Sequence, residues 1–197
     1  MRFSKVEVRE LIKAWFFISL AFTILFGGVN IFSQLTKFFI LFLISGFTVG
    51  LAFLFHELAH KFMAGKYGYR AEFRAFDKML WLAVLFSFFG FIIAAPGAVM
   101  IRAFNISKEK NGKISLAGPL TNIIFASLFL LILFLFKPSG LAEIFFDFGF
   151  RINALLAFFN LLPIPSFDGR KVLEWDKNIY LLFLIISLVL FFLSYFI

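Results

Sequence analysis

The 197 residues of this chain are 62% hydrophobic and only 15% charged, with a formal net charge of +8. A soluble globular domain is excluded, because no fold of this length hides so much apolar surface from water. The positive charge does not indicate nucleic-acid binding, since no basic stripe with interleaved aromatic residues is present. The absence of cysteine excludes thiolate ligands, so any metal must be held by nitrogen and oxygen.

Apolar segments fill most of the chain, and each has about the 20 residues that a helix needs to cross a bilayer. In chain order they are 14–33, 38–62, 79–101, 114–136, 141–162 and 178–197. The connections between them are short and polar. The pattern predicts an all-α integral membrane protein with a single domain over residues 1–197.

The segment 38–62 ends in the stretch LAFLFHELAH, which places three ionisable groups in an apolar helix. His56 and His60 are four residues apart, so both imidazoles lie on one helix face and can share one metal ion. Glu57 lies about 100° around the helix, where it can act as a base on water. The alternative is a pair of packing histidines, but ionisable groups in a membrane are costly without a partner. Upstream, Gly46 and Gly50 predict close helix packing.

A catalytic zinc site usually has three protein ligands, and the third must here be a carboxylate. Of the acidic residues, Glu143, Asp147 and Asp168 lie outside the polar connections and the basic N-terminus. Asp168 follows Pro163 and Pro165 in a segment that cannot be a regular helix, so its carboxylate could face a cavity. An ordinary Asx turn is the alternative for this residue.

Three motifs in order, HELAH (56–60), LAGPLTN (116–122) and NLLPIPSFDG (160–169), resemble the site-2 protease family of intramembrane zinc metalloproteases. The resemblance implies one Zn²⁺ per chain held by His56, His60 and Asp168, with Glu57 as the general base. It also implies that Asn160 lies near the substrate or the developing oxyanion.

The sequence departs from the family pattern in two places. The family commonly has Asp-Gly-Gly where this chain has Arg170 in the third position, a difference that affects the expected turn after the third ligand but not the ligand itself. Many relatives carry a PDZ or CBS domain, and this sequence has no room for either. We therefore expect the membrane bundle or another protein to select the substrate.

The third ligand also constrains the topology. If 79–101 crossed the membrane, Asp168 would finish on the face opposite His60. A re-entrant or interfacial segment, broken near Gly90 or at APG (95–97), removes this conflict and leaves five full spans, with six simple spans as the alternative. Five spans put all lysines and arginines except Lys37, Lys137 and Arg151 inside, as the positive-inside rule prefers.

This topology predicts a multi-pass cell-membrane protein with a cytoplasmic N-terminus and an active site toward the cytoplasmic side. Glu143 and Asp147 would then lie near the outer face, away from the histidines. The resemblance implies zinc metalloendopeptidase activity on membrane-spanning protein substrates within the lipid bilayer. A non-proteolytic metal-binding membrane protein or transporter is the alternative, as is a membrane protease that cuts soluble or lipidated chains. The sequence carries no signal for an oligomeric state.

Overall fold

The computed structural model describes residues 3–92, 96–103 and 105–196. Its helices and strands, in chain order, are α1 (Lys5–Gly27), α2 (Leu35–Ser45), α3 (Leu51–Lys66), β1 (Arg70–Ala75), α4 (Asp77–Ser87), β2 (Gly97–Arg102), α5 (Lys108–Phe136), α6 (Leu141–Asn160), α7 (Asp168–Trp175) and α8 (Lys177–Leu193). A short 3₁₀ helix, Val29–Ser33, precedes α2, and one π-helical turn, Gly46–Gly50, joins α2 to α3.

The chain forms two compact units that are interleaved in the sequence. Unit 1 contains residues 1–54 and 72–100, and unit 2 contains residues 55–71 and 101–197. The boundaries fall inside α3, β1 and β2. The single domain that the sequence predicted stays a prediction.

In unit 1, α1 packs against α2 and α4. The glycines of the π-helical turn face the Trp15 ring so closely that a β-carbon at Gly46 or Gly50 would lie 2.8 or 2.6 Å from it. Trp15 Nε1 donates a hydrogen bond of 2.9 Å to the Gly46 carbonyl. The prediction that these glycines serve helix packing is confirmed, because α1 occupies the space that they leave.

The segment 79–101 is not one continuous helix. Helix α4 ends at Ser87, and Gly90 has a positive φ of 84°, which glycine adopts without steric cost. Strand β2 follows and pairs with β1 in a two-stranded sheet. The break near Gly90 was predicted; of the other proposed break, APG, Ala95 lies outside the described residues.

The two-stranded sheet departs from the all-helical fold that the sequence predicted. Gly97 allows the close pairing, since a β-carbon there would lie 2.6 Å from the Arg74 carbonyl oxygen and 2.4 Å from the Phe73 ring. Glu7 of α1 is fully buried, and its Oε1 accepts a 3.0 Å hydrogen bond from the Phe73 amide. These contacts join distant parts of the sequence, so hydropathy along the chain carries no signal for them.

In unit 2, α5 packs against α6 and α7, and α8 packs against α5, α6 and α7. The core includes the fully buried Phe150, Leu161 and Val172. Helix α5 begins at Lys108, six residues before the predicted apolar segment, because Ser107 caps its N-terminus by accepting a hydrogen bond from the Lys110 amide. Pro119 lies inside α5 without ending it.

By length and apolar composition, three helical stretches among the described residues could cross a membrane. They are Lys5–Gly27, Leu35–Lys66, which joins α2, the π-helical turn and α3, and Lys108–Phe136. Helix α8 is apolar but has only 17 residues. Helix α6 has 20 residues and carries Glu143, Asp147 and Arg151. The mostly helical membrane-type fold is therefore observed, whereas five full spans stay a prediction.

Candidate metal centre and active site

The central feature of unit 2 is a buried group of ionisable side chains on α3. His56, Glu57 and His60 are 4%, 7% and 8% exposed, and one potential ligand atom of each lies within 4.8 Å of the others. The two imidazole centroids are 4.7 Å apart with nearly perpendicular planes. The four-residue helical spacing therefore brings the two histidines together as the sequence predicted, with the Glu57 carboxylate beside them.

Asp168, the first residue of α7, completes this group. Its Oδ2 atom lies 3.3 Å from His56 Nε2 and 3.1 Å from His60 Nε2. Its other oxygen, Oδ1, lies 3.7 Å from Lys171 Nζ. Ligands held about 2.0–2.1 Å from a tetrahedral zinc ion lie about 3.3–3.4 Å from each other. Both histidine–aspartate distances are thus close to those within a zinc ligand set.

The chain reverses direction between α6 and α7 to bring Asp168 to the histidines. Pro163 and Pro165 lie in this reversal, where they prevent a regular helix. A β-carbon at Gly169 would lie 2.1 Å from the Leu161 carbonyl oxygen, so only glycine allows the start of α7 to press against the end of α6. Val172 anchors α7 in the core.

Arg170, where the family commonly has a second glycine, does not disturb this turn. It lies within α7, and its side chain is about half exposed. Its Nε donates a 2.8 Å hydrogen bond to Glu174, one turn further along the same helix. Because a helical residue needs no special backbone freedom, arginine is compatible with this position.

Helix α5 lies against both imidazoles and contacts their Nδ1 atoms. His60 Nδ1 lies 2.8 Å from the Ile114 carbonyl oxygen, and His56 Nδ1 lies 2.6 Å from Asn122 Oδ1. Between these residues, Gly118 faces the site, and a β-carbon there would lie 2.5 Å from the Nε2 atoms of both histidines. Residues 114, 118 and 122 recur every four positions and so share one face of the helix.

These hydrogen bonds decide which nitrogen of His60 carries hydrogen. A carbonyl oxygen only accepts, so the Ile114 contact requires a hydrogen on His60 Nδ1. The Nε2 atom of a neutral His60 then turns a lone pair toward the Asp168 carboxylate, 3.1 Å away. Two acceptors this close repel each other unless a proton or a metal ion lies between them. Two imidazole nitrogens and a carboxylate oxygen are the donor set of a catalytic zinc site, and the residues present fit that metal.

The histidines beside Asp168 favour its ionised form, which is the form that binds a metal. Burial alone would raise the pKa of Asp168, but the adjoining His60 and His56 together lower it below its usual value. The side chain therefore combines low exposure with a negative charge.

The remaining acidic candidates and Asn160 have other surroundings. Asp147 accepts two 2.8 Å hydrogen bonds from Nε of Arg151 on the same helix, and Glu143 is exposed in the first turn of α6. Asn160 is the last residue of α6, and its amide donates a 2.9 Å hydrogen bond to the Leu156 carbonyl of its own helix. The substrate or oxyanion role of Asn160 stays a prediction.

Sequence reasoning gave no role to the supporting residues of α5. Gly118 and Asn122 lie in the LAGPLTN motif, which could have marked them, but the partners of each become visible only when α5 lies against α3. The Ile114 carbonyl is a backbone group and leaves no trace in the sequence. Asn153 of α6, which hydrogen-bonds Asn122, also lies outside the HELAH, LAGPLTN and NLLPIPSFDG motifs.

Helices of membrane-spanning length and a buried H-E-x-x-H group facing an aspartate define a membrane metalloprotein with the H-E-x-x-H motif of zinc metalloproteases. The chain is 48% identical over 142 residues to "Putative zinc metalloprotease MJ0611" of Methanocaldococcus jannaschii, which covers 72% of this chain and 74% of that protein. It is 29% identical over 146 residues to "Putative zinc metalloprotease YwhC" of Bacillus subtilis, covering 64% and 66%.

A third relative, "Putative zinc metalloprotease Rip2" of Mycolicibacterium smegmatis, is 31% identical over 148 residues, which are 62% of this chain and 53% of that protein. No protein-family model matches the chain, and no solved structure matches it. The identity and coverage to the first relative are high enough to establish common ancestry. The chain belongs to the site-2 protease family of zinc metalloproteases.

Proposed function

We propose that this protein is an intramembrane zinc metalloendopeptidase of the site-2 type, which hydrolyses peptide bonds within the membrane-spanning segments of other proteins. One observation carries the proposal. The Nε2 atoms of His56 and His60, near the end of a 32-residue apolar helical stretch, each lie within 3.3 Å of Asp168 Oδ2, and the buried Glu57 lies beside them. The names of the relatives support the same reaction class.

In this proposal each residue has a separate task. His56, His60 and Asp168 would hold the zinc ion, which supplies the Lewis acidity that activates water and polarises the scissile carbonyl. Glu57 accepts the proton of the attacking water and returns it to the amine nitrogen as the peptide bond breaks. The low exposure of Glu57 and of both histidines keeps bulk water away from these proton transfers.

The proposed membrane arrangement has five spans and a cytoplasmic N-terminus. Helices α6 and α8 would supply the two spans beyond the three stretches of sufficient length and composition. Support comes from the interruption of 79–101 by the end of α4 and the turn at Gly90, because a broken segment is not a simple span. The charge distribution favours the same arrangement.

Cleavage of a synthetic transmembrane peptide by the purified full chain in lipid vesicles tests the reaction. We expect zinc-dependent cleavage by the wild type and none by Glu57→Gln, which keeps the size of the side chain but removes the base. Glu143→Gln makes the same chemical change at an exposed site on α6 and should cleave at the wild-type rate. Equal cleavage by wild type and Glu57→Gln, or zinc binding without any cleavage, would contradict the protease and favour a metal-binding protein or transporter.

The absence of cysteine allows a direct test of orientation. Single cysteines replacing Lys108 and Phe136 would mark the two ends of α5, both of which are exposed. A membrane-impermeant maleimide should label Lys108→Cys only from the cytoplasmic side and Phe136→Cys only from the opposite side. The reverse pattern would contradict the proposed orientation, and labelling of both from one side would contradict a span at α5.

A further inference from the structure

A row of buried polar side chains connects His56 to the backbone of α6. His56 Nδ1 lies 2.6 Å from Asn122 Oδ1, and Asn122 Nδ2 donates a 2.9 Å hydrogen bond to Asn153 Oδ1. Asn153 Nδ2 in turn donates a 2.8 Å hydrogen bond to the Gly149 carbonyl. The three side chains belong to residues that are at most 4% exposed. We call Asn122 and Asn153, with their terminal acceptor Gly149, the amide relay.

The Gly149 end of the amide relay determines which group donates and which accepts in each of its hydrogen bonds. Because the Gly149 carbonyl can only accept, Asn153 must turn its NH₂ group toward Gly149 and its oxygen toward Asn122. Asn122 then turns its own NH₂ group toward Asn153 and its oxygen toward His56. An oxygen in that place accepts, so His56 must carry its hydrogen on Nδ1. The lone pair of Nε2 is left facing Asp168 and His60, where a metal ligand is needed.

We propose that Asn153 is a positioning residue that sets the tautomer of His56 through Asn122 before the metal binds. The inference rests on the proposed function in one respect, that the buried group is a zinc site. The opposite tautomer of His56 would point an N–H bond into the centre and block ligation. The Ile114 carbonyl sets the same tautomer in His60 directly, by accepting a hydrogen bond from its Nδ1. Two backbone carbonyls, one on α5 and one on α6, therefore prepare the two histidines independently.

The tautomers can be measured directly, because the chain contains only two histidines. Metal-free protein carrying ¹⁵N-labelled histidine and a purification tag without histidine should show the Nδ1–H form at both residues, in alkaline buffer that leaves both rings neutral. In Asn153→Leu, the His56 signals should shift toward a mixture that includes the Nε2–H form. The His60 signals should not change, which makes this residue an internal control.

Zinc affinity, measured by competition with a chelator, provides a second and independent test. Asn153→Leu should weaken zinc binding about tenfold, within the range known for outer partners of metal ligands. In an Asn122→Asp background the loss should fall to about twofold or less, since a carboxylate accepts from His56 without help from Asn153. Asn178→Leu, on an exposed part of α8, is the matched control and should bind zinc as the wild type does.

Specific outcomes would overturn the amide relay. An Nε2–H form of His56 in the wild type contradicts it, and so does an unchanged His56 spectrum in Asn153→Leu. An equal loss of zinc affinity with and without Asn122→Asp would show that Asn153 acts by packing alone. Should the Asn122→Asp protein fail to fold, the tautomer measurement still decides.

These results also separate the amide relay from the proposed function. Wild-type protein that binds zinc but cleaves no peptide contradicts the protease and leaves the amide relay supported if the tautomer shift occurs. Wild-type protein that binds no zinc contradicts the ligand set, and the tautomer measurement on the metal-free chain continues to test the amide relay alone.

Discussion

Two buried hydroxyls of α1 and two buried side chains at the metal centre use their hydrogen bonds in opposite ways. In unit 1, the hydroxyls of Ser19 and Thr23 donate to carbonyls four residues back in their own helix. In unit 2, His56 and Asn122 bond to partners on other helices. Bonds within one helix satisfy a polar group without fixing its neighbours, whereas bonds between helices fix a constellation of side chains. The comparison shows that hydrogen bonds between helices hold the side chains of the metal centre in place.

The strongest way to sharpen this comparison is to remove the third member of the centre. Asp168→Asn should lower zinc affinity by more than about 100-fold, which exceeds the cost of losing an outer partner of a ligand, because a neutral amide replaces a charged oxygen. Zinc content of the purified protein measures the effect. Asp147→Asn, on α6 and paired with Arg151, should retain wild-type zinc; full zinc occupancy in Asp168→Asn would contradict the ligand assignment.

A pair of glycines tests the same contrast between the two units. Gly118→Ala should weaken zinc binding about tenfold or more, because the new methyl group would lie 2.5 Å from both Nε2 atoms and the overpacking costs about 1–3 kcal/mol. Gly50→Ala crowds the Trp15 ring instead and should lower the free energy of unfolding by a similar amount.

The readouts for this pair are chelator competition for zinc and thermal unfolding in detergent. Gly50→Ala should keep the zinc affinity of the wild type even though its stability falls. If both variants lost zinc equally, the packing of unit 1 and the metal centre of unit 2 would not be separable.

Adjacent residues at the start of α7 should respond differently. Gly169→Ala places a methyl group against the Leu161 carbonyl, so the start of α7 must shift and carry Asp168 away from the histidines. We expect a loss of zinc affinity of about tenfold, corresponding to about 1.4 kcal/mol. Arg170→Ala removes only an exposed contact to Glu174 and should leave zinc binding unchanged. A strong effect of Arg170→Ala would contradict the outward position of that side chain.

The smallest effect is expected for Thr23→Val in unit 1. The hydroxyl of Thr23 donates only to the Ser19 carbonyl of its own helix, and valine has nearly the same shape. The free energy of unfolding should fall by about 1 kcal/mol or less, with no change in zinc affinity. Chemical unfolding followed by tryptophan fluorescence measures this, and a loss of zinc binding would contradict the contrast between the two units.

Part of the fold and of the site could be predicted from local sequence. Helical spacing alone placed His56, Glu57 and His60 together, since a four-residue interval in a helix determines which side chains share a face. Gly46 and Gly50 predicted close packing because small residues permit it. The sheet of β1 and β2 could not be predicted, since pairing between residues more than 20 positions apart depends on how the intervening α4 turns back.

By itself, the sequence determined a helical membrane-type protein and a helix-borne pair of histidines with a base, because hydropathy and helical periodicity act over short distances along the chain. Only the tertiary structure decided that Asp168 reaches within 3.3 Å of both histidines, since this depends on the reversal at Gly169 and on the packing of α7 against α5. The tertiary structure also decided which nitrogen of each imidazole carries the hydrogen. Those hydrogens are set by acceptors on α5 and α6, and hydrogen-bond partners on separate helices are chosen by packing.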